Sequence, residues 1–131
     1  VSTSSSRIRV RYAETDQMGV AYHGNYFAWF EVGRTDLLRA QGVTYRELET
    51  RDVRLPVIET GARFLRPVLY DDLIEIRVRV TELTGARITF EYELHRDGTD
   101  GPVATAFTAH AAVNSQGRPR RLPPDVRALL E

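Results

Sequence analysis

Within Tyr12–Gln41, an acid and an imidazole, Asp16 and His23, share a polar loop that also holds Gly19 and Gly24 and runs straight into a long apolar segment. A helix N-terminus leaves backbone N–H groups unpaired and carries partial positive charge, so a helix opening here can receive an oxyanion. Acid, imidazole and oxyanion site are therefore expected in one place. An isolated Asp16 in a turn would sooner be read as an Asx-type cap of its own backbone. His23 alone could equally cap the helix or fill an interface.

The elements that must position this loop follow from periodicity. Arg7–Tyr12 alternates polar and apolar residues and predicts a half-buried strand, whereas the Ser/Thr-rich residues 1–6 have nothing to bury and are expected to fray. Asn25 predicts the N-cap of a helix that stops near Gln41, with Gly42 at C′. Apolar residues from Tyr26 to Leu38 cover more than one stripe, so most of that helix should be enclosed. A short helical segment is expected at Tyr45–Arg51, and then four strands: Pro56–Leu65, Leu73–Leu83, Arg87–His95 and Val103–Val113. Ile74, Ile76, Val78 and Val80 should share one face of their strand, and Ile88, Phe90, Tyr92 and Leu94 one face of the next. Pro123-Pro124 introduces a short helical tail at Asp125–Leu130. With no alternating βα units, the class is α+β: a curled antiparallel meander of about five strands wrapped around one long central helix. Such a sheet leaves edges, which pairing of two protomers would remove, so at least a homodimer is expected.

The chain's 131 residues suit one domain, 1–131, with a core of its own. Eighteen basic and eighteen acidic residues cancel, which excludes a general attraction to nucleic acid or to an anionic membrane. All of the basic residues are Arg. The absence of Cys removes disulfides, thiolate nucleophiles and Cys-based zinc sites. No apolar run approaches the ~20 residues that span a bilayer, and the start lacks the pattern of a signal peptide, so a cytoplasmic protein without membrane insertion is expected. His95 is expected to face solvent at a hairpin and His110 to be structural.

The run Tyr12-x-x-Thr15-Asp16-Gln17-Met18-Gly19-Val20-Ala21-Tyr22-His23-Gly24-Asn25-Tyr26, with Glu31, Gly33, Arg34 and Asp36 after it, resembles the signature of the hotdog-fold acyl-CoA thioesterases, in the 4-hydroxybenzoyl-CoA thioesterase-like branch. Ala62–Pro67, Asp71-Asp72 and Gly117–Pro123 resemble later landmarks of the same family. The resemblance implies a hotdog fold whose active sites lie at a dimer interface, with a homotetramer also open. It implies Asp16 as the catalytic carboxylate, acting as nucleophile or as general base. The backbone N–H of His23, with Gly24 beside it, would polarise the thioester carbonyl, and the His23 imidazole would assist. Tyr12, Glu31 and Arg34 would support, the last two as an i, i+3 ion pair bracing the loop or interface. Glu59 is a candidate for positioning water. Arg63, Arg66 and Arg87 are candidates for gripping coenzyme A phosphates. No metal and no cofactor is implied, coenzyme A being part of the substrate. Rival readings are a dehydratase of the same fold, a non-catalytic acyl-CoA-binding or regulatory module, and an interaction domain for which only the basic run Arg118–Arg121 speaks.

Overall fold

In the computed structural model, which describes residues 2–131, the elements run β1 (Thr3–Arg9), a 3-10 turn (Tyr12–Glu14), a second 3-10 turn (His23–Asn25), α1 (Tyr26–Ala40), α2 (Tyr45–Thr50), β2 (Val57–Phe64), β3 (Leu73–Leu83), β4 (Arg87–Arg96), β5 (Ala104–Ala111) and α3 (Pro124–Leu130). The alternating sequences form what their period demands. On β3, Ile74, Ile76, Val78 and Val80 are buried while Arg77 and Arg79 stand in solvent, and on β4 the buried set is Ile88, Phe90, Tyr92 and Leu94.

All pairings are antiparallel and the strand order is β1-β3-β4-β5-β2. The meander holds for β3, β4 and β5. β2 crosses to the far edge to pair with β5, and β1 closes the other edge against β3. The sheet curls around α1, whose Tyr26, Trp29, Phe30, Leu37 and Leu38 are buried against it. Phe30 stacks on Tyr92 with ring centroids 4.8 Å apart. Each such side chain contributes roughly 1.5–3 kcal/mol relative to exposure. Close approach of helix and sheet depends on Gly33. A Cβ there would lie 2.6 Å from Val78 Cγ2 and 2.8 Å from Ile76 Cγ2, both on branched side chains with little freedom to turn away. Gly42, at φ 99, ends the helix in the left-handed region as a C′ glycine should.

Four expectations are corrected. Residues 3–6 do not fray. They pair with β3 from Thr3↔Arg79 to Ser6↔Ile76, because the eleven-residue β3 runs past the apolar part of its neighbour and offers its backbone to the serines. Ser5 and Ser6 donate hydroxyl bonds to Glu75 and Asp36, and Ser2 donates to the Leu130 carbonyl. The strand also ends at Arg9 rather than Tyr12, since Val10 bonds to Asp72 O and the chain then turns. Asn25 stands at the N-cap position of α1, as expected, but its side chain does not cap it: its backbone is helical at φ −71, ψ −21, and its amide donates elsewhere, to Glu14 O. Finally, α1 is enclosed on one side only, with Phe27 and Val32 about two-fifths exposed.

Gly33→Val should lower stability by about 3 kcal/mol, the upper end for overpacking. Urea unfolding at a fixed protein concentration should show it as an earlier midpoint with an unchanged slope.

Candidate active site

One buried carboxylate organises the entry loop. Glu14, only 7% exposed, closes the first 3-10 turn. Its Oε1 accepts the Arg11 backbone N–H at 2.8 Å, and its Oε2 accepts the Trp29 indole N–H at 2.9 Å and the Arg11 guanidinium at 3.4 Å. Its backbone carbonyl accepts the Tyr22 N–H at 2.8 Å and the Asn25 amide at 2.8 Å. Burial alone would raise the carboxyl's pKa; the Arg11 N–H, the indole and the guanidinium outweigh it and hold the group below its ordinary value. Sequence reasoning missed Glu14. The available signal was the chain's single Trp, whose indole N–H requires an acceptor once buried.

Beyond Glu14 the loop is pinched shut. Thr15 and Ala21 form a β-bridge, Asp16 N–H donates to Val20 O at 3.0 Å, and Gly19, at φ 79, donates back to Asp16 O at 3.0 Å. The pinch places Asp16 across from Val20, just before the helix entry. Asp16 Oδ1 accepts the Met18 N–H at 2.9 Å, so the Asx turn is real. Its Oδ2 has no hydrogen bond among the described residues and is free for other work. Ala21 N–H, bonded to Val68 O at 2.7 Å, ties the loop's far side to the segment before β3.

At the helix entry, Tyr22 is extended (φ −67, ψ 132) and His23 begins the second 3-10 turn. The backbone N–H groups of His23 and Gly24 have no acceptor among the described residues, as expected of a first helical turn without a side-chain cap. Gly24 lies against the Tyr22 ring, where a Cβ would come within 2.8 Å of Cε2. The exposed His23 ring sits 4.4 Å from Tyr22 and 6.1 Å from Phe64 of β2, and Phe64 packs edge-on to Tyr26 at 4.9 Å. An aromatic wall therefore stands beside two free donors, and the same pinched loop carries a free carboxylate oxygen. That set can bind a carbonyl oxygen and attack, or direct water at, its carbon.

The other candidates do not gather there. The Tyr12 ring is 78% exposed and packs edge-on to Tyr70 at 5.7 Å, while its backbone carbonyl accepts the Thr15 N–H at 3.1 Å and the Thr15 hydroxyl at 2.7 Å. Glu31 and Arg34 form no ion pair: Glu31 reaches solvent, while Arg34 is half-buried and turns toward Tyr92 and His110. Both line a cavity of about 340 Å³ further along the helix. Glu59 lies on the edge strand β2 in solvent, next to a break in its register with β5. Arg63 faces a groove of about 1050 Å³ on the outer side of the sheet, which contains neither Asp16 nor His23. Arg66 donates to Asp100 O at 2.7 Å, and Arg87 stands 3.8 Å from Glu82 at the β3–β4 hairpin. The β3–β4–β5 pairing puts Arg66 and Arg87 at opposite ends of the sheet, so the three arginines form no common phosphate grip.

His95 is not a solvent-facing residue; its side chain is 15% exposed and bonds Glu93 Oε1 at 2.9 Å. His110 is structural, buried with Nδ1 2.8 Å from Leu55 O and Nε2 2.9 Å from Thr108 Oγ1. Loss of hydration, with the Arg34 charge adding to it, pushes its pKa down to about 4 against the pull of the Leu55 carbonyl. The ring is therefore neutral near pH 7. Because a carbonyl only accepts, Nδ1 carries the proton; Thr108 then donates to Nε2 and Tyr92 donates to Thr108.

A curled antiparallel sheet around one helix, with a carboxylate beside a free helix entry, defines a thioester hydrolase of the hotdog class. The chain belongs to the thioesterase-like superfamily, whose model matches residues 10–130. It is 32% identical over 122 residues to the acyl-CoA thioesterase YbgC of Haemophilus influenzae, covering 92% of this chain and 89% of that one. A protein of Thermus thermophilus superposes with a TM-score of 0.91 at 38% identity, covering 97% of this chain and 96% of the other. The DHNA-CoA thioesterase of Staphylococcus aureus gives 0.92 at 30% identity, covering 97% and 87%. Among the described residues no helix is long and apolar enough to cross a membrane.

Glu14→Gln removes a charge that the fold stabilises by charge-assisted bonds, and should cost about 1.5–3 kcal/mol near pH 7. A carboxyl held below its ordinary 4.5 contributes stability above that value and loses it as pH falls through the folded-state value. The gap between wild type and variant in denaturant midpoints should therefore narrow steadily as pH is lowered below 4.5.

Proposed function

We infer that this chain hydrolyses an acyl-CoA thioester to the free acid and coenzyme A, with Asp16 as the reacting carboxylate. The observation that carries the reading is the free Asp16 oxygen beside the unpaired N–H groups of His23 and Gly24. The carbonyl oxygen binds to those N–H groups, which strengthen their hold as it becomes negative; a single such donor is worth on the order of 2.7–4 kcal/mol in a transition state. Asp16 then attacks the carbonyl carbon, forming a mixed anhydride as the thiolate leaves, and water hydrolyses the anhydride. Alternatively Asp16 takes a proton from a water that attacks directly, and the thiolate leaves from the tetrahedral adduct. Both routes use the same oxygen, which the Asx turn leaves available.

The site is completed by a second copy of the chain. β2 is an edge strand whose outer backbone groups are unpaired, and Ile58, Phe64 and Leu65 on and after it are about half exposed, as are Tyr22 and Phe27 near the helix entry. Edge-to-edge pairing of two β2 strands would join the sheets and enclose the entry loops. Light scattering should give about twice the mass of one chain at micromolar concentration, or a multiple of that dimer.

Asp16→Asn should cut thiol release from acyl-CoA by at least about a hundredfold, with unfolding midpoint and mass unchanged. His23→Ala keeps the backbone N–H and should lose far less. Full activity in the Asn variant would remove Asp16 from the reaction.

A further inference from the structure

The cavity along α1 is lined by Glu31, Arg34, Thr35, Tyr45, Phe90 and His110, among others. It is connected to the helix entry by the helix itself. His23, Phe27, Glu31, Arg34 and Leu38 recur at spacings of four, four, three and four, which lays them along one stripe. Phe27 and Glu31, between the two ends, are exposed. About 17 Å of helix separates His23 from Arg34. Side chains lean toward the helix N-terminus, which brings the guanidinium closer to the entry than its Cα.

Arg34 is the unusual member. It is half-buried, and among the described residues no carboxylate lies within ion-pair distance; the partner its side chain meets is the Tyr92 hydroxyl. A partly buried cation without a counter-charge is costly unless a ligand supplies one. A neutral hydroxyl does not. The Tyr92, Thr108 and His110 chain is already consumed in passing its hydrogens to the Leu55 carbonyl. The Tyr45 hydroxyl accepts the Leu55 N–H at 3.0 Å, which leaves its own proton free to donate into the cavity. The inner end thus offers donors, while the one carboxylate, Glu31, stands at the solvent-facing rim. The geometry points to Arg34 as the specificity-determining residue for an acyl group whose far end carries a carboxylate, gripped by the guanidinium and the Tyr45 hydroxyl. This rests on the thioesterase reading above, and gives its substrate class as a dicarboxylic acid joined to coenzyme A at one end only, with about 10–15 Å between its ends.

The test compares three straight-chain acyl-CoA substrates of equal length, ending in a carboxylate, a hydroxyl or a methyl group, on wild type, Arg34→Met, Arg34→Lys and Asp16→Asn. Wild type should give a kcat/KM for the carboxylate-ended substrate at least tenfold above the methyl-ended one. Arg34→Met should reduce that ratio at least tenfold, chiefly through KM, and Arg34→Lys should restore part of it. Equal or better turnover of the methyl- or hydroxyl-ended substrate by wild type overturns the proposal without any variant having to fold. A ratio unmoved in Arg34→Met also overturns it. If hydrolysis depends on Asp16 but ignores the far end, only this inference falls; if wild type hydrolyses none of the three, the thioesterase reading falls with it.

Discussion

The bond between the Glu14 carboxylate and the Trp29 indole, with the Arg11 N–H on the other oxygen, sets the geometry on which the entry loop depends. It joins three parts of the chain that have no other reason to keep a fixed relation: the exit of β1, the pinched loop, and the first turns of α1. Burying a charge is unfavourable unless several donors meet it, and here they come from Arg11 at the exit of β1 and from Trp29 on α1. Because the Glu14 carbonyl also holds Tyr22 and Asn25, the peptide carrying the free His23 N–H is gripped on both sides. Donors that stabilise a developing oxyanion must be aimed before the reaction begins, and under the proposed reaction this clamp would do the aiming.

The sheet plays a complementary part. Gly33 lets α1 sink onto β3, and the Phe30–Tyr92 stack fixes the helix's rotation about its own axis. Once rotation is fixed, the faces divide. Tyr26, Trp29, Phe30, Leu37 and Leu38 are spent on the core, whereas His23, Phe27 and Glu31 look outward. Phe27 and Val32 are left exposed on that outer side, and the edge strand β2 leaves its outer backbone groups unpaired.

What could be read from the sequence follows the range of the forces involved. β3, β4 and the helix stop at Gly42 were legible because period-two burial and left-handed glycine are local properties. β1 was legible only where Ile8 and Val10 alternate with arginines. The serines before them carry no apolar signal, and their strand exists because β3 is long enough to template it. Asn25 had the right residue type for a cap, but a 3-10 turn already occupied that place and its amide was taken by Glu14 O. Asp16, His23 and Gly24 could be put forward together because the loop keeps them close in the chain. The positions of Glu59, Arg63, Arg66 and Arg87 could not, since each depends on strand register and on which end of the sheet a hairpin falls.

Arg34 shows the same limit from the other side. On sequence alone its obvious partner is Glu31, one turn away, and such i, i+3 pairs are common. The curl of the sheet presents a competing environment, because β4 and β5 bring Tyr92 and His110 under the helix and draw the guanidinium inward, while Glu31 gains more from hydration at the rim. The neutral His110 makes this tolerable: a protonated ring beside Arg34 would set two cations against each other, and burial keeps it uncharged. One helix therefore carries free backbone N–H groups at its entry and Arg34 about three turns on, so the distance between them is set by helical rise and not by loop conformation.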